Sequence, residues 1–252
     1  MYFDTHTHLD DARFNADRTE IINKIYASGV TLAVNIGADM KSSRAGVLLA
    51  KEHPYIYAAV GIHPHDVENL TEQDMAELSL LAKEPKVVAI GEIGLDYYQN
   101  DVPRDMQKKW FRRQIELARA LNLPYIVHDR DAHGDTMAVI QEVGYFRGVM
   151  HCFSGSVEMM QELVSLGFYI SFAGPVTFKN GKKAKEVAAC VPMERLLIET
   201  DSPYLTPEPY RGERNDSSMV RYVAKEIAEL KNMKEEEVAR ITMENGRRFF
   251  AI

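Results

Sequence analysis

The stretch Val87-Val88-Ala89-Ile90-Gly91-Glu92-Ile93 is a short apolar run that carries a single carboxylate near its end. An apolar run without alternation of polar residues is typical of a strand that is covered on both faces. Such strands occur where helices pack on both sides of a parallel sheet. The run Leu196-Leu197-Ile198 has the same character. We therefore predict an α/β fold built on a parallel sheet.

Segments of this kind alternate along the chain with segments of helical period. Eight strands are predicted, at Tyr2–Thr7, Thr31–Ile36, Ile56–Ile62, Lys86–Ile93, Pro124–His128, Gly148–Cys152, Phe168–Phe172 and Arg195–Thr200. Seven helices are predicted between them, at Asp17–Ser28, Asp39–Glu52, Glu72–Lys83, Pro103–Leu121, Asp135–Val143, Ser156–Leu166 and Lys182–Ala189. Two further helices are predicted after the last strand, at Ser217–Lys231 and Lys234–Phe250.

Eight strand–helix repeats predict a closed (β/α)8 TIM barrel, because successive parallel crossovers of one hand curl the sheet. An open doubly wound sheet is the alternative. One domain over residues 1–252 accounts for the whole chain, since barrels of this type typically contain about 250 residues.

The composition is that of an ordinary globular protein. Of the 252 residues, 46% are hydrophobic and 27% are charged, which suffices for a sizeable core. The net charge of −7 argues against a protein that coats nucleic acid generally, since such proteins are usually basic. It does not exclude a nuclease, because bound divalent cations and a local basic patch can supply positive charge.

The cysteines and the N-terminus indicate the cellular compartment. Cys152 and Cys190 belong to no CxxC pair, so we expect neither a disulfide nor a cysteine-based zinc site. The sequence shows no signal peptide, and no apolar run reaches the roughly 18 residues of a membrane span. We therefore expect a cytoplasmic protein without a membrane partner. Exposed apolar surface is not readable from sequence, and a monomer is the default expectation.

Histidines and carboxylates collect at the ends of the predicted strands, where the active site of a barrel lies. Six of the eight histidines and two carboxylates occupy such ends: His6, His8, His63, His65, Glu92, His128, His151 and Asp201. Each of them alone is explained as a cap, a turn residue or a surface group. Together they would be costly to desolvate without a cation. The set therefore predicts a metal centre, and His53 and His133 lie outside it.

Six motifs together resemble the TatD family of metal-dependent deoxyribonucleases, which belongs to the amidohydrolase-like metallohydrolase barrels. The motifs are His6-Thr7-His8, Gly61-Ile62-His63-Pro64, Gly91-Glu92-Ile93-Gly94-Leu95-Asp96-Tyr97, His128-Asp129-Arg130, His151-Cys152-Phe153-Ser154-Gly155 and Glu199-Thr200-Asp201-Ser202-Pro203-Tyr204-Leu205. The resemblance covers essentially the whole chain. It implies two divalent metal ions, with Mg, Mn and Zn all open.

The resemblance also implies how the ligands are shared between the two ions. His6, His8 and Asp201 would hold one ion, and Glu92 would bridge to the other. His128 and His151 would complete the site of the second ion together with Glu92.

The predicted reaction is two-metal phosphodiester hydrolysis, with Glu92, Asp201 and His63 as the catalytic residues. Asp201 is the candidate both to bind metal and to accept a proton. His63 suits a hydrogen bond to a phosphate oxygen or a leaving group, and His65 is a weaker candidate for the same task. Asp4 and Glu199 lie two residues before His6 and Asp201, and we expect them to orient metal ligands from within the barrel.

Nucleic-acid contacts are expected on the loops that follow the strands. Arg130, Lys179 and Arg211 are candidates for phosphate contacts, and Phe178 is a candidate for base stacking. Further cations of these loops are candidates for phosphate contacts: Lys182, Lys183 and Arg214. Further aromatic residues are candidates for base stacking: Tyr97, Tyr98, Phe153, Tyr204 and Tyr210.

Stacking beside a phosphate-binding metal pair favours a single-stranded end, and the resemblance implies a 3′→5′ exonuclease that acts on DNA and sometimes RNA. The alternative is a metal-dependent ester or amide hydrolase such as a D-aminoacyl-tRNA deacylase. A non-catalytic metal-binding protein is the third hypothesis.

Overall fold

The strands of the computed structural model, which describes residues 1–99 and 101–252, follow one another in sequence order. They are β1 Tyr2–Thr7, β2 Val30–Ile36, β3 Ile56–Val60, β4 Val87–Asp96, β5 Tyr125–Arg130, β6 Gly148–Met150, β7 Tyr169–Phe172 and β8 Leu196–Ile198. Their order in the sheet is β1 to β8, and a parallel bridge between Thr7 and Ser202 places the end of β1 beside the chain that leaves β8. The fold is therefore a (β/α)8 TIM barrel, as predicted, and the open doubly wound alternative is wrong.

Helices occupy the intervals between the strands, as predicted. In the described residues they are α1 Arg18–Ala27, α2 Met40–Glu52, α3 Glu72–Leu81, α4 Arg104–Leu121, α5 His133–Val143, α6 Val157–Leu166, α7 Lys182–Cys190, α8 Val220–Lys231 and α9 Glu235–Phe250. The predicted start of α8 at Ser217 is wrong, because Ser217–Met219 forms a 3-10 turn ahead of the helix. Ser156 caps α6, since its hydroxyl accepts a hydrogen bond from the Met159 backbone N–H.

The chain divides into two compact units. The terminal unit consists of residues 1–35 and 151–252 and contains the parallel strands β7, β8, β1 and β2. Helix α9 packs closely on β1, because a Cβ atom at Gly246 would lie 2.6 Å from the Phe3 ring. Glycine at this position thus lets the helix cover the strand that carries His6.

The middle unit consists of residues 36–150 and contains the parallel strands β3, β4, β5 and β6. Glycines let these strands approach each other at the ends that carry polar side chains. A Cβ atom at Gly61 would lie 2.7 Å from the backbone of Gly91, and one at Gly94 would lie 2.0 Å from the His128 carbonyl oxygen. Gly94 also has a φ of +147°, which is strained for any other residue.

Buried amide side chains from α4 fix the ends of two strands of the middle unit. Gln114 accepts from the backbone N–H of Ile62 at 2.8 Å and donates to the Ile62 carbonyl at 3.0 Å. Gln107 makes the corresponding pair of bonds with Asp96, at 2.9 and 3.0 Å. These bonds satisfy backbone groups that no neighbouring strand reaches.

Several predicted strand ends are wrong. Strand β3 ends at Val60 rather than Ile62, since the Gln114 side chain takes the hydrogen bonds of Ile62. Strands β6 and β8 also end early, at Met150 and Ile198. Strands β4 and β5 continue to Asp96 and Arg130, so Glu92 lies inside β4 rather than at its end.

Two further expectations concern the chain as a whole. Within residues 1–99 and 101–252, no helix combines the length and the apolar composition that crossing a lipid bilayer requires. The described part of the chain contains no disulfide, as predicted. A single domain over residues 1–252 stays a prediction.

Candidate metal centre

A triangle of donor atoms lies where β1 and β8 end in the terminal unit. His6 and His8 point to one side of β1 because side chains alternate along a strand, and Asp201 follows β8. The Nε2 atoms of His6 and His8 are 3.3 Å apart, and they lie 3.5 and 3.4 Å from Asp201 Oδ1. Donor atoms at this spacing can bind one divalent ion together, since ligands about 2.0–2.1 Å from a tetrahedral zinc ion lie about 3.3–3.4 Å apart.

A second histidine pair extends this group within the terminal unit. The His151 ring stacks on the His6 ring with centroids 4.1 Å apart, and its Nδ1 lies 3.2 Å from Glu199 Oε1. The same carboxylate oxygen accepts from the Cys152 backbone N–H at 2.7 Å. Glu199 therefore holds the His151 ring by its Nδ1 and leaves Nε2 as the ring's ligand atom. We call His6, His8, His151, Glu199 and Asp201 the terminal cluster.

Buried hydrogen bonds fix the chain that carries Asp201. The Asp4 carboxylate accepts from the Thr200 backbone N–H at 2.9 Å and from its hydroxyl at 2.6 Å. Burial raises the pKa of Asp4 to about 7 against these bonds. The Asp201 N–H donates to the His6 carbonyl at 2.9 Å, so Asp201 is tied to β1 by its backbone. The prediction that Asp4 orients a metal ligand is consistent with these contacts.

The Asp201 carboxyl is held in its ionised form. Burial raises the pKa of this group, but the hydrogen bond from His8 and the charges of the neighbouring imidazoles outweigh burial and bring the pKa below its ordinary value. A carboxylate that stays ionised is the state needed to bind a cation or to accept a proton.

A hydrogen-bonded network of histidines and carboxylates forms the middle cluster, which we define as His63, His65, Glu92, Asp96 and His128. His128 lies between two carboxylates, with Nδ1 2.7 Å from Glu92 Oε1 and Nε2 3.0 Å from Asp96 Oδ2. His65 Nε2 also lies 3.2 Å from Asp96 Oδ2. Burial raises the pKa of Asp96, but the hydrogen bond and charge of His128 and the charge of His65 outweigh burial and lower the pKa.

The His63 ring is neutral, and its proton position follows from its contacts. Burial and the charge of His128 lower the pKa of His63 well below its ordinary value. The backbone N–H of His65 donates to His63 Nδ1 at 3.2 Å, so Nδ1 is an acceptor and Nε2 carries the proton. His63 Nε2 lies 4.0 Å from Glu92 Oε1. Nε2 is therefore the atom from which His63 would donate a hydrogen bond to a substrate.

Arg211 and Arg130, two of the predicted substrate contacts, each lie against an aromatic ring. In the terminal unit, the Arg211 guanidinium lies 4.1 Å from the centre of the Phe178 ring, and the neighbouring Lys179 is exposed. In the middle unit, the Arg130 guanidinium lies 3.8 Å from the centre of the Tyr98 ring. Cation–π contacts of this kind hold the charged group in place while leaving it in solvent.

Two histidines outside the predicted site also lie outside both clusters. His53 follows α2 as its C-cap. His133 begins α5, and its Nδ1 lies 2.7 Å from Asp129 Oδ2. That His133 is not a metal ligand stays a prediction.

The donor chemistry of both clusters fits divalent metal ions. Each cluster combines imidazole nitrogen, which suits Zn, with carboxylate oxygen, which suits Mg and Mn. His63, Glu92 and His128 place one ligand atom each within 4.8 Å of one another, and so do His6, His151 and Glu199. The residues present therefore fit the metals that the sequence predicts.

Asp96 is the functional candidate that the sequence interpretation missed. It lies four residues after Glu92, and residues four apart on a strand point to the same side. That spacing could have identified it, had β4 been predicted to continue past Ile93. Gln107 and Gln114 gave no such signal, because an amphipathic helix pattern does not tell which polar side chains are buried.

A family model described as TatD related DNase matches residues 3–251 of the chain. The protein belongs to the TatD family. This confirms the predicted family, and the chain is accordingly a metal-dependent hydrolase.

The TatD-family relatives span the full chain. This chain is 49% identical over 254 residues to the uncharacterized metal-dependent hydrolase YabD of Bacillus subtilis strain 168, with 100% of both chains covered. It is 32% identical over 258 residues to the 3′-5′ ssDNA/RNA exonuclease TatD of Salmonella typhimurium strain LT2, with 99% of both covered. The crystal structure of YJJV, a TatD homologue from Escherichia coli K12, superposes with a TM-score of 0.94 at 29% identity, covering 100% of this chain and 98% of that one.

Proposed function

We propose that this TatD-family hydrolase is a nuclease that uses divalent metal ions to remove nucleotides from the 3′ end of single-stranded DNA, with RNA as a second polymer to test. The observation that carries this proposal is the triangle of His6 Nε2, His8 Nε2 and Asp201 Oδ1, with sides of 3.3 to 3.5 Å. A relative that is 32% identical over its full length is named a 3′-5′ ssDNA/RNA exonuclease, and this name supports the same substrate class.

Each cluster supplies ligands for a divalent ion. His6, His8 and Asp201 would hold one ion, and Glu92 and His128 would hold a second. When bound, divalent ions act as Lewis acids toward phosphoryl oxygens and make water a better nucleophile at neutral pH. A bridge by Glu92 between the two ions, and the assignment of His151 to the second ion, stay predictions of the family resemblance.

Asp201 is the residue suited to take a proton during hydrolysis. Its carboxylate is ionised despite burial because the surrounding imidazoles stabilise the charge. Its backbone is fixed by the bond from its own N–H to the His6 carbonyl. A carboxylate that is both charged and held in place can accept a proton from water without reorganising first.

His63 is suited to donate a hydrogen bond to the substrate. Its lowered pKa keeps the ring neutral, and the bond from the His65 N–H to Nδ1 leaves the proton on Nε2. A neutral donor stabilises a phosphoryl oxygen or a leaving oxygen as negative charge develops there. We infer that His63 serves the reaction in this way rather than as a metal ligand.

Arginine and aromatic side chains in the loops provide contacts for a flexible strand. Arg211 is exposed and lies over the ring of the half-buried Phe178, so its charge is available to a phosphate. Lys179, the residue after Phe178, is a further cation. Paired bases are hidden inside a duplex, whereas an unpaired end offers both phosphates and bases.

A cytoplasmic location and a monomeric state stay predictions.

The proposal is tested by offering three substrates to the purified protein. These are end-labelled single-stranded DNA, the same strand with a blocked 3′ end, and a D-aminoacyl-tRNA, each with Mg, Mn, Zn or a chelator. We expect stepwise shortening from a free 3′ end that needs metal and is lost in Glu92→Ala. Deacylation without shortening of DNA would replace the proposal with the ester-hydrolase alternative. Absence of activity on every substrate, in a protein that holds no divalent ion, would overturn both.

A further inference from the structure

We infer that the ring of Tyr204, held by Arg13 and Asp11, is a stacking platform for the base of the nucleotide at the 3′ end of the substrate. The inference rests on the proposed nuclease function and names the part of the substrate that the site recognises. The residues involved lie in two loops of the terminal unit, after β1 and after β8.

Tyr204 presents an aromatic ring to solvent beside a metal ligand. The residue is 46% exposed. Its ring lies edge-on to the His8 ring, with centroids 6.1 Å apart and an interplanar angle of 86°. A base that stacks on this ring would place its own nucleotide next to the terminal cluster.

The Tyr204 ring is fixed from one side by a charged pair. The Arg13 guanidinium lies over the ring at 3.9 Å from its centre. Asp11 accepts from Arg13 Nε at 3.0 Å and from a terminal nitrogen of Arg13 at 2.8 Å. The same carboxylate accepts a longer hydrogen bond from the Tyr204 hydroxyl, at 3.3 Å. Arg13 thus packs on one face of the ring, and Asp11 forms hydrogen bonds with both Arg13 and Tyr204.

The backbone of Tyr204 is fixed as well. Its N–H donates to the Asp201 carbonyl at 2.9 Å, and its own carbonyl accepts from the buried Asn215 amide at 2.6 Å. A ring that is ordered before binding loses little conformational freedom when a base stacks on it. Every base has a π face, so such a platform is tolerant of sequence, as an exonuclease that removes successive nucleotides requires.

An exposed tyrosine ordinarily helps to pack a loop. That role does not require the Tyr204 ring to lie against Arg13 and Asp11. Asp11 and Arg13 would form their ion pair without the ring, and the Tyr204 backbone bonds do not depend on its side chain. The aromatic face is therefore an addition to a loop that is already fixed. Removing the ring should spare the fold.

The test uses a short single-stranded DNA with 2-aminopurine as its 3′-terminal base and a phosphorothioate as its last linkage, mixed with the protein and Mg. Stacking quenches 2-aminopurine fluorescence. We expect quenching by the wild-type protein and by Tyr204→Phe, and loss of quenching in Tyr204→Ala with about tenfold weaker binding. Tyr26→Ala removes another exposed tyrosine, 57% exposed on α1, and serves as the matched control that should behave as wild type.

A parallel strand that lacks its terminal base separates stacking from a structural effect. For this strand we expect wild type and Tyr204→Ala to bind equally. Quenching that persists in Tyr204→Ala, or an equal loss of affinity for both strands, would overturn the platform while leaving the proposed function intact. If the wild-type protein neither binds nor shortens single-stranded DNA, the proposed function fails and the platform fails with it.

Discussion

In the terminal cluster, the Nε2 atoms of His6 and His8 and Oδ1 of Asp201 lie 3.3 to 3.5 Å from one another, whereas in the middle cluster His128 is held between two carboxylates at 2.7 and 3.0 Å. The terminal triangle brings electron-rich atoms together around a common centre. The middle cluster shares its protons in short hydrogen bonds that fix the imidazole. The two clusters therefore meet the cost of burying polar groups in different ways.

This difference indicates how each cluster depends on a cation. In the middle cluster, the hydrogen bond of His128 Nε2 with Asp96 holds the imidazole in orientation whether or not an ion is bound. In the terminal cluster, a cation held by His6, His8 and Asp201 would stabilise all three donors together. We therefore expect the terminal cluster to be more sensitive than the middle cluster to loss of its ion.

The largest expected effect comes from removing one charge from either cluster. Asp201→Asn and Glu92→Gln keep the size of each side chain but remove the carboxylate that binds metal. We expect hydrolysis of single-stranded DNA to fall to the level seen with a chelator in both variants, as measured by release of the labelled terminal nucleotide. A variant that keeps substantial activity would mean that its cluster is not needed for the reaction.

The next effect concerns the residue that holds His128 from behind. Asp96→Asn replaces the acceptor 3.0 Å from His128 Nε2. Loss of such an orienting carboxylate typically weakens metal affinity or activity by about 10- to 100-fold. Metal titration followed by calorimetry measures the change, and Asp105→Asn, whose side chain is 97% exposed, is the matched control. If the two variants bind metal alike, Asp96 has no positioning role.

Buried amides allow the stability of the two units to be compared. Gln114 bonds both backbone groups of Ile62, and Asn215 bonds the carbonyls of Thr200 and Tyr204. Substitution of either by Ala leaves buried backbone groups without partners, which costs about 1–3 kcal/mol. Urea unfolding measures this loss, and Gln73→Ala, on the exposed side of α3, should change the free energy of unfolding little.

The smallest expected effect concerns the pairs Arg211–Phe178 and Arg130–Tyr98. Arg211→Ala should weaken binding of single-stranded DNA by about threefold to tenfold, given the usual strength of an exposed charge contact, while metal content stays unchanged. Arg130→Ala tests the corresponding pair of the middle unit, and Arg240→Ala, 58% exposed on α9, is the control. Loss of metal in Arg211→Ala would contradict its role as a phosphate contact.

The fold followed from the sequence because its signal is repeated. Continuous apolar runs such as Val87–Ile90 mark buried strands wherever they occur, and all eight predicted strands exist. The strand ends were less predictable, since they depend on distant partners. The Gln114 side chain ends β3 before Ile62. The local sequence around Gln114 or Ile62 does not predict that these two residues are in contact.

The candidate site was predictable in its residue types but only partly in its contacts. The predicted histidines and carboxylates of the metal centre fall into the two clusters because they lie on or shortly after strands of the same unit. Asp96 was missed because β4 continues through Gly94, where only glycine can pass the His128 carbonyl at this distance. Arg13 and Tyr204 are in contact although they are 191 residues apart in sequence (204 minus 13). The periodicity of strands and helices does not predict a contact between two such distant segments.

The measurement that tests the division into two metal-binding clusters most directly is the metal stoichiometry of single-histidine variants. Wild type, His8→Ala, His128→Ala and the control His53→Ala are dialysed against limiting chelator, and bound metal is counted by mass spectrometry. We expect wild type and His53→Ala to retain the same metal content, and His8→Ala to lose the ion of the terminal cluster while the middle cluster stays occupied. Full metal content in His8→Ala, or loss of all metal from His8→Ala and His128→Ala alike, would contradict two separately held ions.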